Sequence, residues 1–246
     1  MAHEDGQIHV SVRVRPLNSK EMAEGTQWQM QEKSMVEAKG NGSFKEYRFD
    51  RVFASGAGNA GVYEAVAQPV VRKALEGVNG TVFTYGQTGS GKTHSILGTP
   101  GDPGIIRLAI RDLFDHVAAH AASEDFTLRV SYLEVYNEEI NDLLNSDAQG
   151  RNLRITTEDV AKGVVISGLL EEQVGSADDA LGIVARGEAN RAYGSTNMND
   201  NSSRSHVIYR VHIVARERAD GDGGERRAPS SGGSQRSACL NLVDLA

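Results

Sequence analysis

The run Gly86-Gln87-Thr88-Gly89-Ser90-Gly91-Lys92-Thr93 carries the densest chemistry in the chain. It fits G-x-x-x-x-G-K-[ST], the P-loop pattern. Its glycines let the backbone curl until successive N–H groups converge on phosphate oxygens. A helix starting at Lys92 would turn its positive end toward the same anion. The Lys92 ammonium suits β- and γ-phosphates, and the Thr93 hydroxyl suits Mg²⁺. Such a site also needs an acid at the end of a neighbouring strand, to hold the magnesium through water. Asp244, closing the apolar run Leu240-Asn241-Leu242-Val243, supplies one.

A second polar cluster, Asn197 to His206, reads Asn-Met-Asn-Asp-Asn-Ser-Ser-Arg-Ser-His. Its hydroxyls, carboxamides and guanidinium could meet a γ-phosphate, a magnesium ion and an attacking water together. Composition alone favours a solvated surface loop.

The surrounding elements place these groups. Ile8 to Arg15 alternates apolar and polar residues, which predicts a half-buried strand stopped by Pro16. Residues 17–45 read as a loop with at most a small hairpin, and Tyr47 to Phe53 as a second strand. Val62, Val66, Val70 and Ala74 are spaced by four, a helix face that Pro69 should kink. Gly80 to Tyr85 is a short strand leading into the glycine loop. A helix starts at Lys92, breaks over residues 98–104, and resumes from Ile105 to Val117. Phe126–Tyr136, Leu153–Ile155 and Val164–Ile166 read as strands. Ser176 and Asp179 cap a further helix. His206–Arg216 and Ala238–Asp244 are strands joined by a Gly/Ser-rich, mobile surface loop over 217–236. The interleaving predicts an α/β, P-loop NTPase-like fold, with a mixed central sheet flanked by helices on both faces.

Length and composition bound the class. The 246 residues suit one large domain, and 39% hydrophobic content suits a packed core. Thirty-three acids against 26 bases give a net charge of −7, which disfavours generic binding to nucleic acid or anionic membrane. The single cysteine, Cys239, excludes an internal disulfide framework. No signal peptide or membrane-spanning run is visible, so the expectation is a cytoplasmic globular protein.

Ser202-Ser203-Arg204-Ser205-His206, preceded by Asn199, resembles the first switch loop of kinesin motor domains. Other blocks agree in order: Val12-Arg13-Val14-Arg15-Pro16-Leu17, Phe83 through His94, Ser131 through Glu138, and Leu242-Val243-Asp244-Leu245-Ala246. The resemblance implies an ATP- and Mg²⁺-dependent, microtubule-stimulated ATPase of the cytoskeleton. It implies that Arg13, Arg15 and Pro16 border the adenine and that His94 lies against it. Gly86, Gln87, Thr88, Gly89, Ser90, Gly91, Lys92 and Thr93 would hold the phosphates. Asn199, Ser202 and Ser203 would close on the γ-phosphate, with Ser203 joining Thr93 and Asp244 at the metal. Arg204 would pair with a glutamate of the second switch. The absence of an Asn-Lys-x-Asp run favours ATP over GTP.

Gly187-Glu188-Ala189-Asn190-Arg191 and Glu134 through Ile140 lean toward centromere-associated-protein-E-type kinesins. Arg107 stands where many kinesins have proline. In the family the second switch continues past Asp-Leu-Ala, and the main microtubule-binding elements and last sheet strand follow it. The expectation is therefore an N-terminal motor portion ending within the second switch, poorly stable and with little or no turnover by itself. The family's last strand belongs between those near Val12 and Val82. Microtubule binding is expected of the intact motor, and dimerisation of a stalk outside these residues.

Overall fold

The computed structural model describes residues 8–24, 28–39, 42–145, 147–159, 163–195, 204–218 and 234–246. A mixed sheet is built around the long strand Glu124–Tyr136. His206–Glu217 pairs antiparallel along its full length, from His206 opposite Val135 to Glu217 opposite Glu124. Gln235–Asp244 returns antiparallel beside it. Gly80–Thr84 then adds in parallel, with Leu240 opposite Gly80 and Asp244 opposite Thr84. Glu139–Asp142 and Glu172–Val174 occupy the other edge of the long strand.

Strand periodicity decides which face is covered. Val207, Tyr209, Val211 and Ile213 are buried, as are Leu240, Leu242 and Val82 beside them. Burying each such side chain stabilises the fold by about 1.5–3 kcal/mol. Gln68–Leu75, Ile105–His120 and Ala177–Ser195 pack over this face. The Tyr209 hydroxyl donates to the Ala180 carbonyl at 3.3 Å, and its ring meets Tyr132 edge-on at 5.5 Å. The mixed sheet and its flanking helices match expectation. Among the described residues, however, these three helices share one face rather than dividing between two. The opposite face meets the hairpin of Arg154–Asp159 and Gly163–Ser167, where Arg210 Nη1 donates to the Val164 carbonyl at 3.3 Å.

Gly187 shows how closely the helix layer approaches the sheet. A Cβ added there would collide with the Tyr132 ring, itself 1% exposed. Gly187→Ala is therefore expected to destabilise the chain by about 1–3 kcal/mol through overpacking. An unchanged urea midpoint would contradict this.

Several elements differ from the sequence reading. The first strand is only Ser11–Arg13, paired in parallel with Arg51–Phe53. Ile8 and Val10 are 84% and 50% exposed, because nothing among the described residues covers them. The alternating pattern extends further than the pairing does. Residues 17–45 hold more order than expected: a short helix, Ser19–Glu24, and the strands Trp28–Met30 and Ser34–Ala38. With Phe44–Arg48 these strands form a three-stranded antiparallel sheet. The expected strand at 47–53 is thus split between two sheets.

The helix expected to kink at Pro69 carries its irregularity just before the proline. The chain is helical from 59 to 75, and the wider π-turn Tyr63–Ala67 precedes the proline. A wider turn accommodates the missing N–H and the bulky ring. No described strand lies between Ser11–Arg13 and Gly80–Thr84, and the two sheets part there. The connection between His206–Glu217 and Gln235–Asp244 is a hairpin, but 219–233 lie outside the described residues, so the mobile-loop expectation is not addressed. Among the described residues, no helix is long and apolar enough to cross a membrane.

Candidate functional site: a phosphate loop and its base-side cavity

Register brings the phosphate-loop groups together. Gly80–Thr84 ends immediately before the glycine loop, and its parallel partner delivers Asp244 opposite Thr84. The loop then turns into the helix Lys92–Ile96. Gly89 and Gly91 have φ of +80° and +97°, a region that side-chain-bearing residues rarely adopt. The curl therefore depends on glycine at both positions.

The 7%-exposed Asp244 carboxylate bridges two hydroxyls. Thr93 Oγ1 donates to Oδ2 at 2.7 Å, and Thr84 Oγ1 donates to Oδ1 at 2.9 Å. Lys92 Nζ lies across the loop, donating to the carbonyls of Gly86 at 2.6 Å and Gln87 at 3.3 Å. A cation thus stands at the loop's centre, with a hydroxyl–carboxylate pair at its edge. Hard oxygen donors of this kind fit Mg²⁺, and the curled backbone fits a phosphate chain.

Beside the loop lies a cavity of about 610 Å³. Arg13, Arg15, Pro16, Ser90, Lys92 and His94 are among its lining residues. Arg13 is committed to internal bonds. Its Nη1 donates to Asn59 Oδ1 at 2.5 Å and Ser95 Oγ at 2.8 Å, and Nη2 donates to the Ala57 carbonyl at 2.7 Å. Burial lowers its pKa, opposed by the charge of Asp102. Arg15 is held by Glu21 at 2.6 Å, and this hydrogen bond draws the Glu21 carboxyl down to about 2. The pair therefore stays ionised through neutral pH. His94 Nε2 lies 3.8 Å from Asp102 Oδ2.

Five supporting residues were not foreseen. Fully buried Asn59 donates through Nδ2 to the carbonyls of His94 at 3.0 Å and Asp102 at 2.9 Å. With Ser95 and Asp102 it fastens the base side together. Thr84 shares Asp244 with Thr93. Glu21 was detectable, because Asn18-Ser19-Lys20-Glu21 is a capping box: Asn18 Oδ1 accepts from the Glu21 N–H, and Glu21 Oε2 accepts from the Asn18 N–H. No local pattern marks Asn59 or Asp102, whose partners lie 35 to 46 residues away or on another loop.

Of the polar cluster after the capped helix, Asn199, Ser202 and Ser203 lie outside the described residues. Arg204 is exposed. Ser205 and His206 lead into the strand beside Asp244, with Val207 opposite it. His206 Nδ1 accepts from the Ala246 N–H at 2.9 Å. Ser205 and His206 thus precede the strand position that faces Asp244.

A mixed sheet with a phosphate loop at a strand end and an acid on the parallel neighbour defines a P-loop nucleotide-binding protein. Comparison with known proteins narrows this class. The kinesin motor domain family matches residues 13–246, and the chain belongs to it. It is 45% identical over 239 residues to Kinesin-like protein KIN-7O of Arabidopsis thaliana, covering 97% of this chain and 18% of that protein. It is 41% identical over 241 residues to Kinesin-related protein 4 of Dictyostelium discoideum, covering 97% of this chain and 12% of that one. Centromere-associated protein E of Homo sapiens is 41% identical over 247 residues, 99% of this chain and 9% of that protein. The chain thus spans under a fifth of the length of these relatives. A solved structure described as a fast kinesin superposes with a TM-score of 0.84 at 35% identity, covering 97% of this chain and 65% of that one.

Proposed function

We propose that this chain forms the ATP-binding and ATP-hydrolysing part of a microtubule motor. The observation that carries the reading is the Thr84–Asp244–Thr93 bridge beside Lys92, in a chain of the kinesin family. Gly86 through Thr93 wrap the phosphates, and Lys92 neutralises their charge. Thr93 and Asp244 would hold Mg²⁺, with Ser203 as a further ligand. The bound ion adds positive charge where the leaving phosphate accumulates negative charge. Arg13, Arg15, Pro16 and His94 border the adenine, and the bonds of Arg13 to Asn59, Ser95 and Ala57 brace that wall. Asn199, Ser202, Ser203 and Arg204 sense the γ-phosphate and order the attacking water. Loop segments ordered by the γ-phosphate and released after hydrolysis are a general switching device. The partner is the microtubule and the location the cytoplasmic cytoskeleton. The net charge of −7 argues against nucleic acid.

The test is steady-state phosphate release by the intact motor that contains these residues, at rising microtubule concentration, where the rate is expected to climb and saturate. A rate independent of microtubules, with Mg·ATP still bound, would leave a nucleotide-binding module and overturn the motor reading.

A further inference from the structure

The wall of the base-side cavity runs past the end of the sheet that carries it. The ladder of Ser11–Arg13 ends one residue on, where the Val14 N–H donates to the Phe53 carbonyl at 2.9 Å. Arg15 and Pro16 stand beyond that bond, yet both line the cavity. Proline has no N–H to give, and a long arginine side chain left to itself samples many rotamers. Something other than the sheet must fix Arg15.

The short helix Ser19–Glu24 does this. Arg15 Nη1 donates to Glu21 Oε2 at 2.8 Å and Nη2 donates to Oε1 at 2.6 Å, a bidentate fork. Nη1 also donates to the Pro16 carbonyl at 2.9 Å. Partly exposed ion pairs usually contribute little, and bidentate geometry is the exception. Glu21 is itself held, because Oε2 accepts from the Asn18 N–H at 2.8 Å while Asn18 Oδ1 accepts from the Glu21 N–H at 3.0 Å. One carboxylate oxygen thus closes the capping box and grips the guanidinium. With both terminal nitrogens engaged, Arg15 keeps its planar face for an aromatic base.

We propose that Glu21 is a positioning residue for the nucleotide base, acting through Arg15. Glu21 does not line the cavity itself. It holds Arg15 in the cavity wall, and so contributes to binding of the base and not of the phosphates. This rests on the ATP-binding reading above, in which Arg15 borders the adenine. Among the described residues, the bonds of Lys92, Thr93 and Asp244 at the phosphate loop involve none of Arg15, Asn18 and Glu21. Loosening the fork therefore leaves the phosphate grip as it is and frees the base-side wall alone.

The experiment measures, by calorimetry, the affinities of the intact motor that contains these residues for Mg·ADP and for Mg·pyrophosphate, which carries no base. The variants are Glu21→Ala, Glu21→Gln and Asn18→Ala. Glu21→Ala is expected to weaken ADP binding by about fivefold and to leave pyrophosphate binding unchanged. Glu21→Gln keeps an acceptor for Arg15 and for the capping box, and should recover part of the loss. Asn18→Ala removes the side-chain cap but leaves the fork, and should keep the parent's ADP affinity. A purely structural role would weaken both ligands equally, or make Asn18→Ala as damaging as Glu21→Ala. Either outcome, or unchanged ADP affinity in Glu21→Ala, overturns the proposal. A parent that binds neither ligand overturns the ATP-binding reading and this inference with it.

Discussion

Replacing Lys92 with alanine is expected to weaken ATP binding by about 100-fold or more, measured by calorimetry at fixed Mg²⁺. Lys92 Nζ is held over the loop by the Gly86 and Gln87 carbonyls. It is the cation placed where the phosphates would converge. Removing one partner of a desolvated charge pair costs about 2–5 kcal/mol, and each 1.4 kcal/mol is about tenfold in affinity. Among the described residues its ammonium bonds to two loop carbonyls and to no carboxylate, so thermal stability should change far less than binding. Unchanged affinity would remove the phosphate-site assignment altogether.

Asp244→Asn should produce the second large effect, in a different variable. Asparagine can accept from one of Thr84 and Thr93 and donate to the other, so the bridge survives in neutral form. Stability is expected to stay within about 1 kcal/mol. The lost negative charge should raise the Mg²⁺ concentration needed for half-maximal ATP hydrolysis by about tenfold, since hard cations depend on carboxylate charge. A Mg²⁺ titration separates the two roles. If melting temperature collapses while the Mg²⁺ midpoint holds, Asp244 is a structural acid.

How much of this was legible depended on the range of the interaction. The phosphate loop is local, so its spacing sufficed, and helix resumption at Ile105 was readable from the same stretch. Asp244 was recognisable from the apolar run before it, and parallel pairing with Thr84 then carried it to the loop. Thr84 itself resembles any strand threonine until that pairing is known. Ile8 and Val10 mimic a buried strand, yet their alternation says nothing about whether a neighbour exists. Between residues 17 and 45, weakly patterned segments gain order by pairing with one another, as Met35 does with Met30 and Tyr47. Arg13 lines the base-side cavity, but the partners that hold its guanidinium, Asn59, Ser95 and Ala57, were not legible. Such long-range polar partners leave no periodic trace.

The parting of the two sheets bears on how the molecule would loosen. The phosphate end rests on a continuous ladder in which Gln235–Asp244 is bonded on both sides. The base end rides on Ser11–Arg13, whose strand pairing is with Arg51–Phe53 alone among the described residues. Arg13's grip on Asn59, Ser95 and Ala57, together with burial of Val52 and Phe53, moors that small sheet to the body. Cooperative opening follows the density of such connections. The two ends of the cleft therefore belong to units of unequal opening cost, with the base-side wall the cheaper to displace. A nucleotide seated across both would lose its hold at the purine before its hold at the phosphates.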